Sequence, residues 1–193
     1  LEGFKSKKIP VLIMTDAIDQ FWLPMVGSFK EKKFTSITQG QINLDDLDEK
    51  NKDKKKDDKN EKEKKDKEYV DLVAQLKVVL GDQVKDIRLS SKLTDSPVCL
   101  VADEGDMDIA MEQLMAQRDT NYKGAPRILE INGDHSLIKN MKSLLSKKEN
   151  NDLVSDAGTL LFEQARLMEG KMPADPAQFS KIMNQFLLKA IPN

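Results

Sequence analysis

The sequence predicts an α+β chain made of two folded stretches on either side of a charged insert. Three observations carry that expectation. Short apolar runs bounded by Pro, Gly or Asp alternate with longer stretches whose apolar residues recur at helical spacing. Residues 48–68 hold ten Lys, nine Asp or Glu, two Asn and no apolar side chain. Outside that block 45 of 172 residues are charged, an ordinary globular share, although the whole chain is 33% charged with a net charge of −2. The expected organisation is a small unit at 1–45, a charged flexible linker at 46–68 and a larger unit at 69–193.

The first unit reads as strand–helix–strand. Val11-Leu-Ile-Met14, a continuous apolar run after Pro10, predicts a buried strand. Thr15 or Asp16 is placed to cap a helix over 17–29, which Pro24 should kink or end and Gly27 should fray. Phe34-Thr-Ser-Ile-Thr38 predicts a second short strand. Two strands and a helix bury too little apolar surface to stand alone. The chain also begins at Leu1 rather than Met, so this unit is expected to be the end of a larger domain.

In the second unit, Val70, Val73, Ala74, Leu76 and Leu80 predict a helix stopped by Gly81. Val84–Leu89 and 98–102 read as strands joined through Thr94-Asp95-Ser96-Pro97, and are expected to form an antiparallel pair with the second strand buried on both faces. Arg127–Ile131 supplies a third strand, which makes the sheet three-stranded and mainly antiparallel. Asp134, after the Asn132-Gly133 turn, is placed to cap a helix carrying Leu137, Ile138, Met141, Leu144 and Leu145. Two helices close the chain, one over 152–169 before Gly170, the other opening at Asp175-Pro176 with Pro at its first position. The last helix carries Phe179, Ile182, Met183, Phe186, Leu187 and Ala190 as a single stripe. Such a stripe packs on the chain's own sheet or on a second copy, and the periodicity leaves both open. A shorter helix within 102–122 puts Met107, Ala110, Met111, Leu114 and Met115 on one face, with Asp108, Glu112, Gln113 and Gln117 on the other. Methionines so spaced serve as core filler or as an adaptable apolar binding surface.

Several function classes drop out. With one cysteine, Cys99, and one histidine, His135, neither a disulfide framework nor a Cys/His metal site can be assembled, and a reducing compartment fits. No phosphate loop, dinucleotide-binding turn, nucleophile elbow or zinc-helix motif occurs, so no catalytic or metal-binding residue is assigned. Asp103, Glu104 and Asp106 read as helix-capping acids, Cys99 as a buried inert thiol and His135 as a polar residue at a helix start. No apolar stretch reaches the roughly 18 residues a membrane span needs.

Particular strings carry more than periodicity. Leu12-Ile-Met-Thr-Asp-Ala-Ile-Asp-Gln-Phe-Trp22 with Lys33-Phe-Thr-Ser-Ile-Thr38 resembles the end of the middle domain of the heat shock protein 90 chaperones. Val84-Lys-Asp-Ile-Arg-Leu-Ser-Ser-Lys-Leu-Thr-Asp-Ser-Pro-Val-Cys-Leu-Val-Ala-Asp103 resembles that family's C-terminal domain. The likeness continues through Asp106, Met107, Met111 and Leu114, through Ile128-Leu-Glu-Ile-Asn132 with Asp134 and His135, and into Leu160, Leu161, Gln164, Ala165 and the stretch 179–188. It lies nearest the bacterial high-temperature protein G branch.

The resemblance implies a cytoplasmic, homodimeric, ATP-driven chaperone. It assigns ATP and Mg to an N-terminal domain outside this sequence, leaving no cofactor and no enzyme activity here. It implies that the last two helices dimerise as a bundle through Leu160, Leu161, Phe179, Ile182, Met183, Phe186 and Leu187. It implies contact with unfolded or partly folded client proteins through Met107, Met111, Leu114 and Met115, with Phe21 and Trp22 at the end of the middle domain. A heat shock protein 70-type chaperone is the further partner it suggests; neither nucleic acid nor a membrane is implied. The competing reading, a nucleic-acid or ribosome-associated module using the Lys-rich block, is weakened by the nine acids that answer its ten lysines.

Overall fold

The computed structural model describes residues 1–42, 44, 55–119, 122, 124–146 and 150–191. Where the charged block gives way to periodic apolar residues, the chain forms one long helix, here α3 (Lys55–Leu80), preceded by α1 (Glu2–Ser6), α2 (Asp19–Val26) and a hairpin of β1 (Ser28–Phe29) and β2 (Lys32–Lys33). The helix expected to start near residue 69 thus reaches back into the charged block; the rest of the expected flexible linker, 46–54, lies outside the described residues. Its buried stripe is Tyr69, Leu72, Leu76 and Leu80, while Val70 faces solvent. Lys65 meets Asp134 at 2.6 Å and Glu68 meets Lys142 at 2.7 Å, so the charged half is tied to the body by ion pairs. Gly81 ends the helix at φ +49°, a left-handed conformation that glycine adopts without strain.

Beyond α3 come β3 (Val84–Leu89), β4 (Val98–Val101), α4 (Ile109–Arg118), β5 (Arg127–Ile131), α5 (Ser136–Leu144), α6 (Asn151–Met168) and α7 (Pro176–Ala190). The sheet order is β3-β5-β4. The antiparallel β3–β4 hairpin expected from sequence does not form, because β5 inserts between them, parallel to β3 and antiparallel to β4. All five residues of β5 are buried, as a central strand requires, whereas β4 sits at an edge with Cys99 only half buried. Leu129 and Ile131 of β5 join the stripe of α3 and Ile138, Met141, Val154, Leu161 and Phe162 from α5 and α6 in one core. A register shift between Val84 and Asp86 lets both Val84 and Ile87 reach that core.

The first unit departs most from expectation. The apolar run 11–14 forms no strand, and Leu12 and Ile13 are 76% and 72% exposed. A run of that composition needs a neighbouring strand, and among the described residues none pairs with it. The 34–38 stretch is not a strand either; only Gln39 makes a single parallel bridge, to Ala102 at the end of β4. The helix expected over 17–29 shortens to α2, which runs on past Pro24 rather than ending there and is closed by Gly27 at φ +65°. Asp16 accepts from Ile18 N at 3.1 Å in the turn before α2. At α5 the cap is His135, whose Nδ1 accepts from Leu137 N at 3.1 Å, rather than Asp134.

Polar contacts bind this unit to the sheet. Gly3 N donates to Lys92 O at 2.8 Å, and Glu2 places its carboxylate among the backbone N–H groups of Thr94, Asp95 and Ser96 at 2.8–3.0 Å, with the Ser96 hydroxyl as a fourth donor. Burial pushes the Glu2 carboxyl up, but the four donors outweigh it and hold the group at about 2, below its ordinary 4.5. Docking of α1 on 94–96 is therefore fully supported by this carboxylate above pH 4.5 and loses that support as pH falls towards 2. Urea denaturation across that window should show Glu2→Gln losing less stability on acidification than the native chain, the two converging near pH 2.

Candidate functional site

α4 is held in place by polar groups. Asp108 caps it, Oδ1 accepting from Ala110 N at 2.9 Å, while Oδ2 accepts from the hydroxyls of Ser36 at 2.5 Å and Thr38 at 2.9 Å. Glu112 is the one buried residue among those of the helix, 3% exposed. Its Oε1 accepts from Ala125 N at 2.6 Å, and its Oε2 pairs with the equally buried guanidinium of Arg127 and lies 3.9 Å from Lys171 Nζ. Gly124 is at φ +70°, and a Cβ there would collide with the Glu112 carboxyl, so glycine is required on both counts. Burial pulls the Arg127 guanidinium below its usual value, against the carboxylates of Glu169, Asp108 and Asp106 that favour its charge. Gln113 adds a bond to Glu169 O at 3.1 Å.

This arrangement inverts the usual amphipathic helix. Glu112, on the face sequence reasoning gave to solvent, is the anchor; Met111, Leu114 and Met115 stay half exposed, outside the core, and Met107 precedes the cap at 41% exposure. Asp103 and Asp106, read from sequence as capping acids, instead pair with Lys85 at 2.8 and 2.9 Å. Asp108, expected on the polar face of the helix, is its cap instead. Glu112 and Arg127 were not legible as an anchor, because nothing in the sequence marks one Glu of a polar face as buried.

The other expected site residues fall in two further places. Phe21 and Trp22 are partly exposed on α2, where Trp22 Nε1 donates to Asp19 Oδ1 at 2.8 Å and its ring meets Phe34 edge-on at 6.2 Å. On α6 and α7, Leu161 belongs to the core and Ile182 is buried between the helices, whereas Leu160, Phe179 and Phe186 are half buried. Met183 and Leu187 face outward, joined by Leu188 at 75% exposure, which sequence reasoning had not singled out. Asp175 caps α7 through Ala177 N and Gln178 N at 3.0 and 2.9 Å.

Cys99 suits no nucleophilic role, since burial and the neighbouring Glu130 carboxylate push its thiol up to about 12. Among the described residues no group of three His, Cys, Asp or Glu could hold a metal, and no helix is long and apolar enough to cross a membrane.

A family model described as "Hsp90 protein" matches residues 1–192. Similar proteins include three described as "Chaperone protein HtpG". That of Roseobacter denitrificans is 42% identical over 193 residues, covering 99% of this chain and 30% of the relative. That of Wolbachia pipientis wMel is 38% identical, covering 98% of this chain and 29% of the relative. That of Streptomyces coelicolor is 35% identical, covering 95% and 28%. The chain therefore spans about 30% of the length of the curated relatives it matches.

The buried pair makes a definite demand on stability. Glu112→Ala leaves the Arg127 guanidinium desolvated without the carboxylate that pairs with it directly and should cost about 3 kcal/mol in urea denaturation. The double change Glu112→Leu/Arg127→Met removes both charges and should recover most of that loss.

Proposed function

The chain belongs to the Hsp90 protein family, and on that premise we propose that it forms the dimerising and client-binding part of a molecular chaperone. The observation that carries this reading is the apolar surface left open on two elements. α7 buries only Ile182 within the single chain and leaves Met183, Leu187 and Leu188 outward. α4 buries only Glu112 and leaves its methionines at the surface. The first face, with Leu160, Phe179 and Phe186 beside it, fits a second copy of the same helix pair, since a stripe of this width is covered by an equivalent stripe across a two-fold axis. The second fits unfolded or partly folded polypeptides, because flexible thioethers adapt to apolar segments of many shapes. Phe21 and Trp22 would extend that surface. In this reading Leu161 acts from within the core, supporting the interface without touching the partner. ATP and Mg are proposed to act through parts of the family that this chain does not match, and a cooperating heat shock protein 70-type chaperone remains part of the proposal.

Light scattering at about 20 μM should return a mass twice that of the chain, and a monomer there would count heavily against the interface. Phe186→Asp should weaken the dimer about 100-fold, equivalent to about 2.7 kcal/mol, by placing a carboxylate in the bundle. For the second face, Met111→Ser with Met115→Ser should weaken binding of a reduced, carboxymethylated, permanently unfolded protein about fivefold, leaving circular dichroism and dimer mass unchanged. Unchanged affinity would sink the client assignment of α4.

A further inference from the structure

α4 has two anchors of different origin. Glu112 ties it to Arg127 and to the loop before β5, within its own half of the chain. Asp108 ties it to residues 36–40, from the opposite side of the charged block. Those five residues also bond to three points of the connector between β4 and α4. Ala102 N donates to Thr38 O at 2.9 Å and Gly40 N to Ala102 O at 2.8 Å, while Gln39 Nε2 donates to Glu104 O at 3.2 Å and Asp106 O at 2.6 Å. One carboxylate is thus divided between capping the helix and receiving two hydroxyls from a segment about 70 residues away in sequence. Hydrogen bonds to a carboxylate are roughly twice as strong as neutral ones. With no buried apolar side chain, the first turn of this helix is held by its two carboxylates, Asp108 and Glu112.

We infer that Asp108 couples residues 36–40 to α4, so that displacement of this segment loosens the helix and alters the presentation of its apolar face. The inference deepens the client-binding reading, naming a control on that surface, and its regulatory meaning rests on that reading. The mechanism is a shared acceptor: while Ser36 and Thr38 occupy Oδ2, segment and helix move as one body, and when they leave, the helix keeps its Oδ1 cap but loses its tie to the first unit. Coupling of this kind is reciprocal, so loosening the helix must also loosen the segment.

Hydrogen–deuterium exchange on the 193-residue chain tests this without any client. Ser36→Ala/Thr38→Val should speed exchange in α4 about tenfold while α5 and α6 stay as they were. Glu112→Gln, which loosens α4 from its other anchor, should speed exchange over 36–40 about threefold in the native background and leave it unchanged in the Ser36→Ala/Thr38→Val background. If α4 exchange is unaffected by loss of the two hydroxyls, or if the Glu112→Gln effect on 36–40 persists without them, the coupling is overturned. Should the double variant fail to fold, Asp108→Asn keeps a good helix cap while removing the charge, and it must speed exchange at both places or the inference fails. Normal exchange coupling with no effect of the methionine substitutions on client affinity would discard the client face and leave the coupling standing.

Discussion

Glu130 lies in the middle strand of the sheet at 2% exposure, and a carboxylate there must find cations and donors or be expelled. It takes Arg88 Nε and Nη2 from β3 at 3.1 and 2.8 Å, the Ser90 hydroxyl at 2.9 Å, and Lys92 Nζ at 3.5 Å. Those partners then spend their remaining donors on the first unit: Arg88 Nη2 reaches Gly40 O at 2.9 Å and Lys92 Nζ reaches Ile37 O at 3.3 Å. The charge in β5 therefore decides where residues 37–40 lie. Through them it decides how the β4–α4 connector is held.

The sheet thus has two faces with different physics. Towards α3, α5 and α6 it is apolar, closed by Leu129, Ile131 and the helix stripes, and such packing resists rearrangement because any displacement opens a void. Towards the first unit it is a network of ions and hydrogen bonds, which can break and reform with water taking the vacated positions. Motion of the first unit against the second is accordingly less costly than motion within the second.

Much of the second unit was legible in the sequence because its signals are local. Asp175-Pro176 marked the start of α7, Gly81 and Gly170 marked two helix ends, and β3 and β5 fell on their expected residues. What escaped depends on partners distant in sequence. The pairing of β3 with β4 looked inevitable from their proximity, yet the backbone of 94–96 is occupied by Glu2, and β5, despite two charged residues, takes the centre because Arg88 and Glu112 neutralise them. The run 11–14 is apolar enough for a strand, but apolarity demands burial without naming the surface that provides it. Helical spacing separated the methionine side of α4 from its polar side, whereas the anchor was invisible, since a glutamate on a polar face reads the same whether it meets water or a buried guanidinium.

The unbroken helix from Lys55 to Leu80 gives the charged block a geometric meaning its composition conceals. At about 1.5 Å and 100° per residue, its length sets both a distance and an angle between whatever precedes it and the core. Losing one residue ahead of Lys65 would swing the incoming chain through more than a quarter turn, while losing seven would restore nearly the same azimuth about 10 Å closer. Within the helix, then, residue count acts as a phase, as teeth do on a gear.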